Sequence, residues 1–213
     1  MKVTFDYDKN KDIWCLLTKG KSSFNSPLPT GVYKKLVETV GGNPNETSTS
    51  TFIDKYLTEH DYNVSKYTIL YQSAYDIISD RFRKIAEKVF GMSLDQEITA
   101  YLTVNNRCPY DIERKYFFVS ISKNSPVSTV MHELWHFYTW YRFGISWEEK
   151  IGKAKYNDIK EALTVLINIE CKELLPENTQ DKGYPQHQEL RNKIMELWGK
   201  KPDIEFVWNE ITV

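Results

Sequence analysis

Hydrophobic residues recur every three to four positions over three stretches in the first half of the chain, at residues 30–40, 48–59 and 64–90. This period is that of an α-helix with one apolar face, so each stretch predicts a helix. The third stretch is the longest, and Gly91 follows it as a typical helix-ending residue. Because its apolar face is so broad, we expect this helix to be a central element of the core.

Other stretches have the pattern and composition of strands. Residues 2–19 alternate on both sides of a polar turn at 8–12, which predicts a β-hairpin. Two β-rich runs, 98–104 and 116–121, are joined by the turn-like segment 105–111, so we expect them to pair antiparallel. As a sheet edge, the second run could hold an extended peptide by backbone hydrogen bonds.

The second half of the chain returns to helical patterns. Ser125-Pro126 is a typical helix start, and Gly144 is expected to end that helix near Phe143. Two further helices are predicted at about 158–174 and 185–198, and the tail from Ile204 to Val213 is predicted to be a short strand. These elements predict an α+β fold with a small mixed or antiparallel sheet.

Length and composition limit the classes of protein to which the chain can belong. With 213 residues, of which 41% are hydrophobic, we expect a single domain, 1–213, with lobes at about 1–143 and 144–213. The net charge of −1 gives no reason to expect nucleic acid or a membrane as partner. The N-terminus lacks the apolar run of a signal peptide, and Cys15, Cys108 and Cys171 form no disulfide pattern, so we expect free thiols in a cytoplasmic protein.

One short motif carries chemistry. His132-Glu133-Leu134-Trp135-His136 is an HExxH motif within the predicted helix that follows Ser125-Pro126. Two His four positions apart lie on one helix face, so both imidazoles can bind one Zn²⁺. Glu133 beside them can act as general base on a water at the metal. The neighbouring residues are uncharged and largely apolar, which predicts a buried helix whose two His share a partner.

The motif and the order of the elements resemble the zincin metallopeptidases. In that fold a long backing helix and a sheet precede the HExxH helix, and a further helix supplies a third ligand. The longer HExxHxxGxxH pattern is absent, because Thr139 and Arg142 stand where Gly and His are required. The resemblance therefore implies the gluzincin type, with a downstream glutamate as ligand. Glu161 fits this role, as a lone carboxylate in the apolar part of its predicted helix.

Several other residues near that helix are open alternatives or supporting candidates. Asp158 is a competing third ligand, and Glu170 is a weaker one because its end of the helix is polar. Thermolysin-like relatives have an Asp four residues after the ligand Glu, where this chain has Val165. The residue that orients a ligand His must therefore come from elsewhere, and Asn168, two turns along the helix from Glu161, is the candidate.

A peptidase also needs a donor that stabilises the oxyanion of the transition state. The resemblance implies that a His or Tyr from a later loop approaches the metal, and Tyr184 and His187 are the candidates. The sequence therefore predicts a zinc peptidase that acts on a peptide or protein substrate. The alternatives are a non-catalytic binding module stabilised by zinc, in which Glu133 would have no function, and a metal-free binding domain with buried His.

Overall fold

The computed structural model describes residues 1–23 and 27–213, which form two compact units. The sheet unit comprises Lys2–Asp76 and Gln96–Pro126, and the helical unit comprises Met1, Ile77–Asp95 and Val127–Val213. Within the described residues the protein is a mixed α+β structure. The lobe boundary predicted at residue 143 does not coincide with this division, because it falls inside a helix of the helical unit.

The sheet unit is built on a small mixed sheet. In chain order its strands are β1 (Lys2–Asp6), β2 (Glu97–Thr103), β3 (Tyr110–Asp111) and β4 (Tyr116–Ser120). Their order in the sheet is β1-β2-β4-β3, with β1, β2 and β4 parallel and β3 antiparallel to β4. The helices of this unit are α1 (Lys9–Trp14), α2 (Gly31–Val40), α3 (Glu46–Glu59) and the first half of α4 (Val64–Phe90). The three helices predicted from the 3.6-residue period are therefore confirmed as α2, α3 and α4.

The predicted N-terminal hairpin is wrong. Asp8 does not begin a hairpin turn, because its carboxylate accepts hydrogen bonds from the backbone N–H groups of Asn10 (2.8 Å) and Lys11 (3.3 Å) and so caps α1. The chain continues from α1 through a π-helical turn at Cys15–Lys19 instead of returning as a strand. Strand β1 pairs with the distant β2, in parallel.

The predicted antiparallel pairing of 98–104 with 116–121 is also wrong. Strands β2 and β4 are parallel. After β2 the chain forms β3 on the far side of β4 and then reverses direction in the turn between β3 and β4. The turn is at 112–115, where Lys115 has a left-handed φ of 57°. Since β4 lies between β2 and β3, it is not the free sheet edge that was expected to hold a peptide.

The helical unit contains the second half of α4 and the helices α5 (Val127–Ile151), α6 (Lys153–Leu163), α7 (Ile167–Glu170), α8 (Gln188–Lys200) and α9 (Ile204–Thr212). A 3₁₀ turn at Thr164–Leu166 joins α6 to α7. Aromatic side chains fill its core. Phe90 packs edge-on against Trp135 and stacks on Tyr138, while Phe143 and Trp208 stack with ring centroids 4.0 Å apart.

Three predicted helix boundaries or types in this unit are wrong. Helix α5 continues past Gly144, which is glycine because a Cβ there would lie 2.8 Å from the ring of Trp140. Helix α6 begins at Lys153 after Gly152, and not at 158. The tail is helix α9 and not a strand, because Asp203 caps it and its apolar residues recur with the helical period.

Two further expectations concern the chain as a whole. Cys15, Cys108 and Cys171 are all free thiols, as the sequence predicted. Within residues 1–23 and 27–213, no helix has the length and apolar character needed to cross a membrane.

Candidate metal centre

Helix α5 presents both His of the HExxH motif on one face. The helix is buried on nearly all sides over this part, which follows from its apolar flanking residues. His136 is only 1% exposed, while His132 is partly accessible. Their Nε2 atoms lie 3.0 Å apart, so the two imidazoles converge on one point.

Helix α6 brings Glu161 to the same point. Its Oε2 lies 3.6 Å from Nε2 of His132 and 3.5 Å from Nε2 of His136. Glu161 is 5% exposed, which would be costly for an unpaired carboxylate. These three side chains form a group that could hold a metal ion, with all ligand atoms within 4.8 Å of one another. The structure thus brings together the three residues that the sequence predicted as ligands.

Asp181, in the loop before α8, holds the other nitrogen of His132. Its Oδ2 lies 2.5 Å from Nδ1 of His132. This hydrogen bond assigns the proton to Nδ1 and leaves the lone pair of Nε2 facing Glu161 and His136 when His132 is neutral. Metal-binding His residues commonly have such a carboxylate partner, which sets the orientation of the ring.

Three side chains besides His132 contact Asp181 and hold it in place. The side chain of Asn168 makes two hydrogen bonds with the backbone of Asp181. Its Nδ2 donates to the carbonyl oxygen of Asp181 (2.8 Å), and the N–H of Asp181 donates to its Oδ1 (2.7 Å). Thr164 Oγ1 donates to Asp181 Oδ1 at 2.8 Å, and Arg191 Nη1 lies 3.0 Å from the same oxygen. The partner of His132 is therefore Asp181, and Asn168, which the sequence indicated for this role, contacts Asp181 instead.

Sequence reasoning missed both Asp181 and Arg191. Asp181 lies in a polar loop without periodicity, so nothing local marks it. Arg191 could have been found from the sequence, because it lies on the buried face of α8 together with Ile194 and Trp198. A charged residue on such a face needs a buried anion as partner. Gly183 has a φ of +59°, and a Cβ there would lie 2.6 Å from Nη1 of Arg191. The loop therefore requires glycine at this position.

The pair of His132 and Asp181 is strongly polarised. Burial opposes a charge on His132, but Asp181, with Glu161 and Glu133, outweighs burial and holds the pKa of His132 well above its ordinary value. Burial likewise opposes the Asp181 carboxylate, but His132, Thr164 and Arg191 together outweigh it and lower the pKa of Asp181 to about 2. Asp181 is therefore a carboxylate at neutral pH.

The remaining site residues differ in their protonation. Burial lowers the pKa of His136 to about 4, so its imidazole is neutral and can donate a lone pair. Burial would raise the pKa of Glu161, but His136 and His132 outweigh it and hold that pKa well below the ordinary value. Burial raises the pKa of Glu133 to about 8. Its Oε2 is buried and has no hydrogen-bond partner among the residues that the structure describes.

The structure gives the competing candidates other contacts. Asp158, one turn before Glu161, pairs with His187 (Oδ1 to Nε2, 3.0 Å) and is not among the three residues that could hold a metal ion. Glu170 accepts a hydrogen bond from the indole N–H of Trp198 at 2.7 Å. Tyr184 packs edge-on against the buried His187, with ring centroids 5.7 Å apart. The two residues predicted as oxyanion donors therefore form a group with Asp158.

A scan against protein-family models, a search of curated proteins and a search of solved structures each found no match to this chain. The function is therefore inferred from the residues and geometry of the site.

Proposed function

We propose that the protein is a zinc-dependent peptidase of the gluzincin type, with His132, His136 and Glu161 as the metal ligands. The observation that carries this proposal is the convergence of the imidazoles of His132 and His136 with the carboxylate of Glu161, and the position of Glu133 next to the first of these residues. A site that only stabilises the fold does not need an uncoordinated glutamate at that position, which favours catalysis over the zinc-stabilised binding module.

The spacing of the three ligand atoms suits zinc. Atoms bonded to zinc at 2.0–2.2 Å and placed at the corners of a tetrahedron lie about 3.3–3.6 Å apart. Glu161 Oε2 lies 3.5 and 3.6 Å from the two Nε2 atoms, within this range, while the two Nε2 atoms lie 3.0 Å apart, closer than an ideal tetrahedron places them. Two imidazoles and one carboxylate are also a known ligand set of catalytic zinc, which keeps a fourth position open. The partial exposure of His132 is consistent with an open side of the site.

Glu133 is the proposed general base. A bound zinc ion would polarise the scissile carbonyl and lower the pKa of a water molecule. Glu133 would take the proton from that water at its unpaired Oε2 and pass it to the leaving amine. With a pKa of about 8, Glu133 holds a proton readily, and a cation beside it would lower this value toward neutrality. A general base works best with a pKa near the working pH.

His187 remains the proposed donor to the oxyanion, with Tyr184 as the second candidate. The contact of His187 Nε2 with Asp158 Oδ1 (3.0 Å) would favour one ring orientation, and the donor to the oxyanion would be Nδ1, which has no hydrogen-bond partner among the described residues. Removal of one oxyanion donor typically costs about 10²–10³ in kcat. We therefore expect His187→Ala to lower kcat by that range while the protein still binds zinc.

The test of the proposed function compares the zinc-loaded wild type with Glu133→Gln in hydrolysis of a peptide library. Glutamine has the shape of glutamate but cannot accept the proton, so hydrolysis should fall by about 10²–10⁴-fold. Zinc content should be unchanged, because Glu133 is not a ligand. A wild type that binds stoichiometric zinc but cleaves no peptide, or a Glu133→Gln variant that cleaves at the wild-type rate, would overturn the proposal.

A further inference from the structure

A buried lysine lies directly beside the proposed third ligand. Lys160 is only 4% exposed, and its Nζ lies 3.0 Å from Oε1 of Glu161. In the sequence Lys160 has no evident role, because a lysine next to a glutamate on a helix is ordinary on a protein surface. Its burial makes it unusual, since an ammonium group removed from water needs an anion close by.

The contact between Lys160 and Glu161 does not follow from helix geometry. Consecutive residues on a helix point in directions about 100° apart and do not normally face each other. Here every residue from Ile159 to Ile167 is buried, so the Lys160 side chain has little access to solvent. Its ammonium group lies against the neighbouring carboxylate instead.

The two carboxylate oxygens of Glu161 consequently have different partners. Oε2 faces the Nε2 atoms of His132 and His136, and Oε1 faces the ammonium group of Lys160. A rotation of the carboxylate that turned both oxygens toward one metal ion would separate Oε1 from Lys160. The ammonium group of Lys160 would then lose its contact with Oε1, which is unfavourable because the lysine is buried.

We propose that Lys160 is a positioning residue that restricts Glu161 to binding the metal through one oxygen. This inference rests on the proposed metal centre of His132, His136 and Glu161. One-oxygen binding keeps a coordination position open for water or substrate, as catalytic zinc requires. The ammonium group also draws negative charge from the carboxylate, so Glu161 donates less charge to the metal and the metal is a stronger Lewis acid.

The experiment replaces zinc by Co²⁺ in the purified protein and records the visible absorption, which is intense in four-coordinate sites and becomes weaker as the coordination number rises. The variants are Lys160→Met and Lys160→Gln, which remove the charge, and Lys160→Arg, which keeps it. Lys155→Met is the matched control, because Lys155 lies on the same helix and its Nζ donates to the carbonyl oxygen of Thr212 instead. Metal content and peptide hydrolysis are measured on each protein.

We expect the wild type, Lys160→Arg and Lys155→Met to give the intense four-coordinate spectrum. Lys160→Met and Lys160→Gln should bind Co²⁺ at full stoichiometry with a clear loss of intensity. Their kcat should fall about 10- to 100-fold, the range typical for partners of metal ligands, with KM little changed. If Lys160→Met does not fold, Lys160→Gln carries the test.

If Lys160 only stabilised the fold, the result would be different. Loss of such a residue would lower stability and metal content but leave the spectrum of the loaded protein unchanged. A wild-type spectrum in the uncharged variant would therefore overturn the inference while the metal centre stands. If the wild type itself binds no Co²⁺ or zinc, the proposed function fails first, and this inference fails with it.

Discussion

Glu161 in the helical unit and Asp12 in the sheet unit are both buried carboxylates, but their surroundings differ. Asp12 is fully buried and accepts hydrogen bonds from uncharged groups, the hydroxyl of Thr103 (2.6 Å) and the N–H of Val104 (3.1 Å). Burial raises the pKa of Asp12 to about 7. Glu161 lies among two imidazoles and an ammonium group, and its pKa is held well below the ordinary value.

The difference distinguishes the candidate metal centre from a carboxylate that links chain segments. A buried carboxylate with neutral donors titrates near neutrality and serves to link chain segments, as Asp12 links α1 to β2. A buried carboxylate that stays ionised needs cations or a metal around it. Only the second kind can act as a ligand at neutral pH without first losing a proton.

The largest expected effect comes from removing a ligand. His136→Ala should lower zinc affinity by more than the 100-fold that loss of an outer partner can cause. Zinc present at 100 times its Kd should stabilise the wild type by about 2.7 kcal/mol and the variant hardly at all. Titration calorimetry and thermal unfolding with and without zinc check this. His60→Ala is the control, because His60 is an exposed residue of the sheet unit, and equal zinc affinity in the two variants would contradict the ligand assignment.

The second prediction concerns the pH dependence of stability that Asp12 causes. Between about pH 4 and pH 7 the folded protein keeps the proton on Asp12 while the unfolded chain releases it, so the free energy of unfolding falls as pH rises. The maximum is about 4 kcal/mol, from about 1.4 kcal/mol for each pH unit. Asp12→Asn should become progressively more stable relative to the wild type across this window. Urea unfolding at several pH values measures the difference, and a constant difference would show that Asp12 is ionised in the fold.

The third prediction tests the partner of His132. Asp181→Asn keeps the shape of the side chain but removes the charge that polarises His132 and pairs with Arg191. We expect zinc affinity or kcat to fall about 10- to 100-fold. Glu170→Gln is the matched control, since Glu170 is a carboxylate of the same unit that contacts Trp198. If Asp181→Asn had the same zinc affinity and kcat as Glu170→Gln, the proposed support of His132 by Asp181 would be contradicted.

The parts of the site that are local in sequence could be predicted. His132 and His136 are one helical turn apart, so their convergence follows from the helix alone. Glu161 could be found because a charge inside an apolar helix needs a partner. Asp181 could not be found in this way, because its place is set by the fold and by contacts with Asn168 and other residues distant in sequence.

The fold was predictable where one period runs over many residues, as in α4, and not where one residue type serves two purposes. The same kinds of residue begin hairpin turns and cap helices, and Asp8 does the second. The parallel pairing of β2 with β4 depends on where the short strand β3 is inserted, which no local pattern of the chain indicates. Glycine is typical of helix ends, but Gly144 lies inside α5 and leaves room for the ring of Trp140.

The most direct test of the central claim is a crystal of the protein grown with zinc and measured on both sides of the zinc absorption edge. The account predicts an anomalous peak about 2.0–2.2 Å from Nε2 of His132, Nε2 of His136 and one carboxylate oxygen of Glu161. A crystal that contains zinc at other positions but shows no peak among these three atoms would contradict it.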